Sequence, residues 1–410
     1  MTRTLAPLSA RDHGRTLYAG EPLVFHCNFY NYWLQKTMLL DPTLHMEHVI
    51  EAAAAEAVYA MLQRGAASLP AGGGEAGRRA LAEHTFAELG FGTLDLSRVG
   101  PGGGTVHTPV SHYGQCFRQV VEEDFAAPQT LFDAGYARAA AAFVHRRPAG
   151  SFRARIDACA SMGAAAGRIE LSLGEPEMVF GGYAHAAHLA AVPPPPFADT
   201  SVDEAGIHTA LAGLDFSGNE EGLLPRFGVM LTRHFASFYN RSSFEFLARM
   251  GETGLEEAAE MLLVDTGYRC AFHTFGGIMT SPEWDAVIRP QCRTRADWAH
   301  GMVAVVNTLG WGTWRIREID DDHIVVHLHD DYESCGWRDL YGLADRPVSH
   351  LAAAGVAGMM NLIYCADVHD KPTLDLDFYR RAFESDGLFE AEQRTSMAMG
   401  HEVTEIVASR

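Results

Sequence analysis

The stretch Leu23–Trp33, LVFHCNFYNYW, decides how the chain is organised because a version of it occurs twice. The second version is Leu231–Ser243, LTRHFASFYNRSS. In both stretches a histidine, His26 or His234, shortly precedes the tripeptide Phe-Tyr-Asn. Self-similarity between two distant stretches predicts that one domain occurs twice in the chain.

Five short matches follow the same order in the two halves of the chain. LGFGT at Leu89–Thr93 and LGWGT at Leu309–Thr313 are offset by 309 − 89 = 220 residues. The ordered set predicts a tandem duplication with one insertion in the second copy. The other four matches are the Phe-Tyr-Asn pair, His107 with His327, Tyr113-x-x-Cys116 with Tyr332-x-x-Cys335, and Met162-Gly163 with Met399-Gly400.

The matches divide the chain into four parts. These are a lead-in at residues 1–20, a first domain at 21–175, a Pro- and Gly-rich linker at 176–225 and a second domain at 226–410. The insertion falls near residues 366–387. At the start of the first domain, recurring aromatic and aliphatic residues predict a helix from Phe25 to Met38, which Asp41-Pro42 ends.

Composition excludes several classes of partner. The chain of 410 residues has 32 Lys and Arg against 52 Asp and Glu, a net charge of −20, which argues against nucleic acid and anionic membrane surfaces. No apolar run approaches the roughly 18–20 residues of a membrane span. The first residues lack the apolar centre of a secretory signal, and the 7 cysteines include no close pair. We therefore expect a cytoplasmic protein with reduced thiols.

Several segments of the second half resemble a known family. Residues 246–272, 331–337, 344–365 and 396–400 are similar to the sensory module of aromatic-responsive bacterial activators, which ends in a 4-vinyl-reductase domain. Residues 21–175 resemble a more divergent copy, with CASMG at Cys159–Gly163 as its terminal motif. The resemblance implies an α+β fold of the TRAPP-subunit type, a helical layer on an antiparallel sheet around an apolar pocket. It also implies dimers, so two copies would form a pseudo-dimer within the chain, and a homodimer is a further option.

The chain departs from this family at its metal cage. Family members often hold zinc with cysteines, one after a Pro-Val pair and others around the terminal motif. Here Ser349 follows Pro-Val, and Ser396 stands where the first copy keeps Cys159. Because a structural zinc needs four ligands, zinc at this position is not expected.

His26 is the sharpest candidate for chemistry. On the predicted helix, His26, Tyr30 and Trp33 share one face, which suggests His26 and Tyr30 as catalytic residues and Trp33 as a substrate contact. An imidazole among aromatic rings can bind haem iron or another transition metal (Fe, Cu or Zn), or act as a general base. The alternative is a core histidine on an aromatic packing stripe.

A second group of candidates lies on and after the matching strands. Alternation along a strand places His327 and His329 on one face, and imidazoles so placed can bind a metal. We take His26, His107 and His327 as candidate metal ligands. The candidate pocket residues are Trp33, His112, Tyr113, His273, His329 and Tyr332.

Two classes of function remain open on the sequence. The first is a small-molecule enzyme acting on an aromatic or apolar substrate, with a histidine-bound metal or haem as a possible cofactor. The second is a non-catalytic protein that binds a hydrophobic or aromatic ligand for sensing or delivery. A pocket with apolar walls and few polar groups suits both, and the two copies are expected to carry unequal sites.

Overall fold

The chain has an α+β architecture built on antiparallel sheets. The computed structural model describes residues 9–12, 15–69, 73–121, 124–180 and 194–410. Within these ranges the strands are Ser9–Asp12 (β1), Arg15–Tyr18 (β2), Glu21–Cys27 (β3), Gly92–Gly100 (β4), Gly103–Ser111 (β5), Phe152–Ala158 (β6), Gly167–Leu173 (β7), Leu224–Arg226 (β8), Val229–Phe235 (β9), Thr313–Ile319 (β10), His323–His329 (β11), Glu390–Thr395 (β12) and Thr404–Ser409 (β13).

Helices surround these sheets on the described part of the chain. They are Asn28–Met38 (α1), Met46–Gly65 (α2), Gly74–Glu88 (α3), Phe117–Val121 (α4), Leu131–Val144 (α5), Glu204–Ala212 (α6), Ala236–Glu252 (α7), Glu256–Cys270 (α8), Gly276–Thr280 (α9), Pro282–Val287 (α10), Arg295–Val306 (α11), Tyr332–Tyr341 (α12), His350–Met360 (α13) and Leu376–Phe383 (α14). None of them combines the length and the apolarity that a bilayer crossing requires.

Two four-stranded sheets have the same internal order. One runs β4-β5-β7-β6 and the other runs β10-β11-β13-β12. Each begins with a hairpin, β4 with β5 and β10 with β11. Strand β11 alternates between buried and half-buried residues, which is the pattern of a sheet with one face on the core.

A five-stranded sheet of order β1-β2-β3-β9-β8 joins the two halves of the chain. Strands β3 and β9 are antiparallel neighbours, with Phe25 opposite Arg233 and His26 opposite Thr232. All seven residues of β3 are buried. The two versions of the opening stretch therefore meet at the centre of the molecule.

The prediction of a helix from Phe25 to Met38 was wrong in its first turn. Residues 21–27 form strand β3 because they pair with β2 and β9 on both sides, and this pairing overrides the helical spacing of the apolar residues. The helix starts at Asn28, where the Cys27 sulfur accepts a hydrogen bond from the Tyr30 backbone N–H. His26 is therefore a strand residue, and the helical face proposed for it does not exist.

The lead-in and the linker both contain regular structure. Strands β1 and β2 lie within the lead-in at 1–20, and helix α6 and strand β8 lie within the linker at 176–225. Helix α6 begins where Asp203 accepts a hydrogen bond from Gly206 N, and it buries Ile207 and Leu211 one turn apart. Residues 181–193 of the linker lie outside the described residues.

Candidate functional site

His26 lies in a cage of aromatic rings at the centre of the molecule and is fully buried. Its ring centroid is 4.2 Å from that of Tyr30, 4.6 Å from Tyr239 and 5.1 Å from Trp311. The cage draws on α1, α7 and the segment before β10, so both halves of the chain contribute to it. Burial lowers the pKa of His26 well below its usual value, so the imidazole is neutral at pH 7.

The ring nitrogens of His26 have only long contacts. Nε2 is 3.5 Å from the Tyr332 hydroxyl, and Nδ1 is 3.9 Å from the Cys270 sulfur. Both distances are at the outer limit for hydrogen bonds of these types. The imidazole is thus weakly held by its polar neighbours.

His234 occupies the matching position on β9 and is also fully buried. Its Nε2 is 2.9 Å from the Tyr113 hydroxyl, and its Nδ1 accepts a hydrogen bond from Phe235 N at 2.9 Å. Because Nδ1 is an acceptor, Nε2 carries the proton and donates it to Tyr113. Burial, with smaller contributions from His26 and His112, lowers the pKa of His234 well below its usual value.

Asn31 and Tyr239 connect the two histidine environments. The Tyr239 hydroxyl donates to Asn31 Oδ1 at 2.5 Å, and the Tyr239 ring contacts both His26 and His234. Asn31 Nδ2 lies 3.0 Å from His112 Nε2 and 3.3 Å from Thr232 Oγ1. Burial lowers the pKa of His112 to about 3, so this network is uncharged at pH 7.

Two buried thiols flank the His26 cage. Thr274 Oγ1 donates to Cys27 Sγ at 3.1 Å and lies 3.6 Å from Cys270 Sγ. Burial favours the neutral thiol of Cys27, but hydrogen bonds from Cys270, Thr274 and the backbone lower the pKa of Cys27 below its usual value. Thr274 thus lies between the Cys27 sulfur on β3 and the Cys270 sulfur at the end of α8.

A buried cavity lies between α1, α2 and α7, next to this network. Its volume is about 10 Å³, which is about what a single water molecule requires. All its wall residues are buried. They are Asn31, Leu34, Gln35, Met38, Ile50, Tyr113, Phe238, Tyr239 and Ser242.

Two polar atoms in the cavity wall have no hydrogen-bond partner among the described residues. They are Gln35 Oε1 and Ser242 Oγ. Gln35 Nε2 donates to the Gln129 backbone and side-chain oxygens at 2.9 and 3.1 Å, which fixes the orientation of the amide. The cavity thus combines a mainly apolar wall with two polar atoms that no described residue satisfies.

The other predicted pocket residues are distributed unevenly. Tyr113 lines the cavity, and Tyr30, His112 and Tyr332 belong to the central network. Trp33 instead stacks against Arg269, whose guanidinium carbon is 4.0 Å from the ring centroid.

His273 and His329 have different surroundings from the cavity. His273 stacks on Phe29 with ring centroids 3.6 Å apart, and burial followed by the charge of Arg269 lowers the pKa of His273 to about 3. His329 lies with His327 on the half-buried face of β11, while the core-facing residues of that strand are Ile324, Val326 and Leu328.

No group of three or more His, Cys, Asp or Glu in the described ranges is arranged to bind a metal ion. His327 Nε2 is 2.8 Å from Glu405 Oε2, and His107 lies opposite Asp95 in the β4–β5 hairpin. Ser349 and Thr404 donate to the carboxylate of Asp331 at 2.8 and 2.7 Å. Hydroxyl groups therefore satisfy the carboxylate in this part of the second half.

Sequence reasoning missed several members of the central network. The sequence patterns do not select His234, Tyr239, Trp311 or Asn31 as site residues, although all four lie in the repeated motifs. The available signal was the similarity of the two opening stretches, because the strands that carry them, β3 and β9, pair in the central sheet. Gln35 and Ser242 carry no sequence signal, since ordinary polar residues on helices are usually exposed.

A larger cleft lies elsewhere in the molecule. It has a volume of about 700 Å³ and opens between α2, the start of α3 and the end of α5. None of the predicted site residues lines it. The larger volume of this cleft therefore does not make it the site predicted from the sequence.

Comparisons with known proteins give little further information. No protein-family model and no curated protein matches the chain. Among solved structures, the chain is similar to the crystal structure of the phenol-responsive sensory domain of the transcription activator PoxR with phenol. The identity is 13%, the TM-score is 0.35, and the match covers 50% of this chain and 88% of that one. A TM-score this low establishes neither the fold nor the function of this chain.

Proposed function

We propose that the chain binds a small apolar or aromatic molecule in the cavity between α1, α2 and α7, without catalysing a reaction on it. The observation that carries this proposal is the pair of unpartnered oxygens, Gln35 Oε1 and Ser242 Oγ, in an otherwise apolar and buried wall. A buried polar atom without a partner costs about 1–3 kcal/mol. A ligand with one hydrogen-bond donor on an apolar body would remove part of that cost.

The central histidines support binding over catalysis. A general base needs a pKa near the working pH, whereas burial lowers the pKa values of both His26 and His234 well below their usual value. Both nitrogens of His234 are already hydrogen-bonded. The enzyme hypothesis, and with it a haem or transition metal, has no further support from the described residues.

Binding must be accompanied by local rearrangement. A cavity of about 10 Å³ is too small for an aromatic ring, so wall side chains have to move. Met38 is the natural candidate because an unbranched thioether changes rotamer easily. We expect the ligand to displace Met38 and Leu34 while the strand residues stay in place.

We further propose that the two halves are copies of one domain related by a local two-fold axis. Phe25 faces Arg233 in the central sheet, and their offset, 233 − 25 = 208, equals that of His26 and His234, 234 − 26 = 208. Phe25 N donates to Leu309 O at 2.8 Å, and Arg233 N donates to Leu89 O at 2.9 Å. These reciprocal hydrogen bonds and the equal sheet orders support a pseudo-dimer, which is the arrangement implied by the resemblance to 4-vinyl-reductase domains.

Within this pseudo-dimer we propose that the two sites are unequal. His234 has two hydrogen bonds of 2.9 Å, whereas the contacts of His26 are 3.5 and 3.9 Å long. The cavity is adjacent to Tyr113, the partner of His234. The environment of His234 thus combines a hydrogen-bonded histidine with an adjacent cavity. The environment of His26 is filled by packed aromatic rings.

Thermal unfolding with ligands tests the proposed function. We expect phenol, which has a donor, to raise the melting temperature more than toluene, which has none, because a ligand that binds only the folded state stabilises it. Ser242→Ala should reduce this preference for phenol while leaving the smaller toluene effect unchanged. Equal shifts for phenol in the wild type and the variant, or no shift with either ligand, would reject the proposal.

A further inference from the structure

The open cleft between α2 and α5 has a chemical character that the central cavity lacks. It measures about 700 Å³, which is within the usual range for small-molecule sites. Apolar and cationic side chains share its wall. They include Tyr59, Leu69, Pro148, Arg78, Arg146 and Arg147.

Arg78, Arg146 and Arg147 line the same cleft. Two guanidinium nitrogens of Arg78 donate to the Val144 carbonyl at 2.8 and 2.6 Å, which holds the group at the end of α5. Burial, followed by the neighbouring charge of Arg146, lowers the pKa of Arg78 below its usual value. The positive charges therefore converge on the same space.

No carboxylate in the described parts of the chain forms an ion pair with Arg146 or Arg147. The nearby Glu75 carboxylate is paired instead with Arg79 at 2.8 Å and with His145 at 3.5 Å. In a chain of net charge −20, this cleft brings together Arg78, Arg146 and Arg147, with the Glu75 carboxylate also acting on Arg78.

The backbone fixes this arrangement at the end of α5. Arg146 has a φ of 53°, at a position where helices usually end with glycine. Arg146 N and Arg147 N donate to Phe143 O and Ala142 O at 3.3 and 2.8 Å, and the Tyr59 hydroxyl donates to Arg147 O at 2.9 Å. The turn that carries both arginines is thus tied to α2 across the cleft.

We propose that this cleft binds a small organic anion with an apolar body, a medium-chain carboxylate being the simplest example. The acid group would lie among Arg78, Arg146 and Arg147, where charge-assisted hydrogen bonds are strong. The apolar chain would lie along Tyr59, Leu69 and Pro148. This site is separate from the central cavity, so it stands or falls independently of the function proposed above.

Calorimetric titration of the full chain with decanoate, below its micelle-forming concentration, tests the proposal. We expect decanoate to bind at least about tenfold more tightly than decanol or decyltrimethylammonium, and salt to weaken the binding. The double variant Arg146→Gln/Arg147→Gln should lose at least about tenfold in affinity. The control Arg155→Gln, an exposed arginine on β6, should stay within about twofold.

A second variant separates binding from stability. Gln63→Trp places a bulky ring at an exposed position in the cleft wall and should block decanoate without unfolding the protein. Equal binding of decanol and decanoate would overturn the proposal. So would unchanged affinity in the double variant, even if its melting temperature falls because charges at the end of α5 have been removed.

Discussion

The Tyr113 hydroxyl lies 2.9 Å from His234 Nε2, although the two residues are 121 positions apart in the chain. In the corresponding pair, the Tyr332 hydroxyl lies 3.5 Å from His26 Nε2. In both cases the tyrosine follows the hairpin of one half and the histidine lies on the central strand of the other. The two halves are thus held together by crossed contacts in which one pair is tight and the other is loose.

Replacing the two tyrosines should have unequal effects on stability. Tyr113→Phe leaves the Nε2–H group of His234 buried without a partner, and we expect a loss of about 1–3 kcal/mol in the free energy of unfolding. Tyr332→Phe removes a contact at the limit of hydrogen-bond length and should cost less than about 1 kcal/mol. Urea unfolding of both variants measures the difference, and equal losses would show that the crossed pairs are equivalent.

His112 should make the protein less stable in mild acid. Its pKa in the folded chain is about 3, against 6.5 for an unperturbed group. Between these values the unfolded chain binds a proton that the folded chain does not, so stability falls as the pH falls. Relative to His112→Asn, the wild type should lose about 1.4 kcal/mol per pH unit below pH 6.5. Parallel pH profiles for the two proteins would contradict this prediction.

Asp133 should make the protein more stable in mild acid, opposite to the effect of His112. Burial, partly offset by a hydrogen bond from Ser111, raises the pKa of Asp133 to about 7 from 3.8. The folded chain therefore keeps a proton that the unfolded chain releases, and this contribution is lost as the pH rises through 7. Compared with Asp133→Asn, the wild type should gain stability as the pH falls from 7 to about 4. Unfolding free energies measured at several pH values in this range test the prediction. A wild type that loses stability relative to Asp133→Asn as the pH falls would contradict it.

Gly310 should be sensitive to substitution because it lies against the central sheet. It has a φ of +84°, and a Cβ atom there would lie 2.1 Å from the Leu23 carbonyl oxygen. We expect Gly310→Ala to cost more than about 3 kcal/mol. Gly342 has a similar φ of +82° with nothing within 4 Å, so Gly342→Ala should cost only about 1–2 kcal/mol. Similar melting temperatures for the two variants would argue against the close approach of the two halves.

The α+β class and its antiparallel sheets agree with the sequence prediction. The end of α1 at Met38, shortly before Asp41-Pro42, also agrees with the prediction, because proline disfavours helix in the residue before it. The start of α1 was wrong because Phe25 and His26 look helical by spacing, yet they pair with a strand more than 200 residues away. Pairing between residues so far apart in the chain is not visible in a short stretch of sequence.

The candidate site was only partly predictable for the same reason. Tyr113 and His112 were identified from their position after a strand, and both belong to the central network. Trp33 follows the same aromatic run, but the helix turns it towards Arg269. Gln35 and Ser242 acquire their significance only from packing, because each is placed in the cavity wall by a helix from a different half of the chain.

Ligand binding to a pair of neighbouring serine variants tests the central cavity most directly. Ser242 is fully buried in the cavity wall, whereas Ser243 is half-buried on the same helix and does not line the cavity. Ser242→Val fills the cavity, and Ser243→Val is its matched control. In calorimetric titrations with phenol, we predict that Ser243→Val binds within about twofold of the wild type and that Ser242→Val loses at least about tenfold in affinity. Undiminished binding by a folded Ser242→Val, or no binding by the wild type, would contradict a ligand site between α1, α2 and α7.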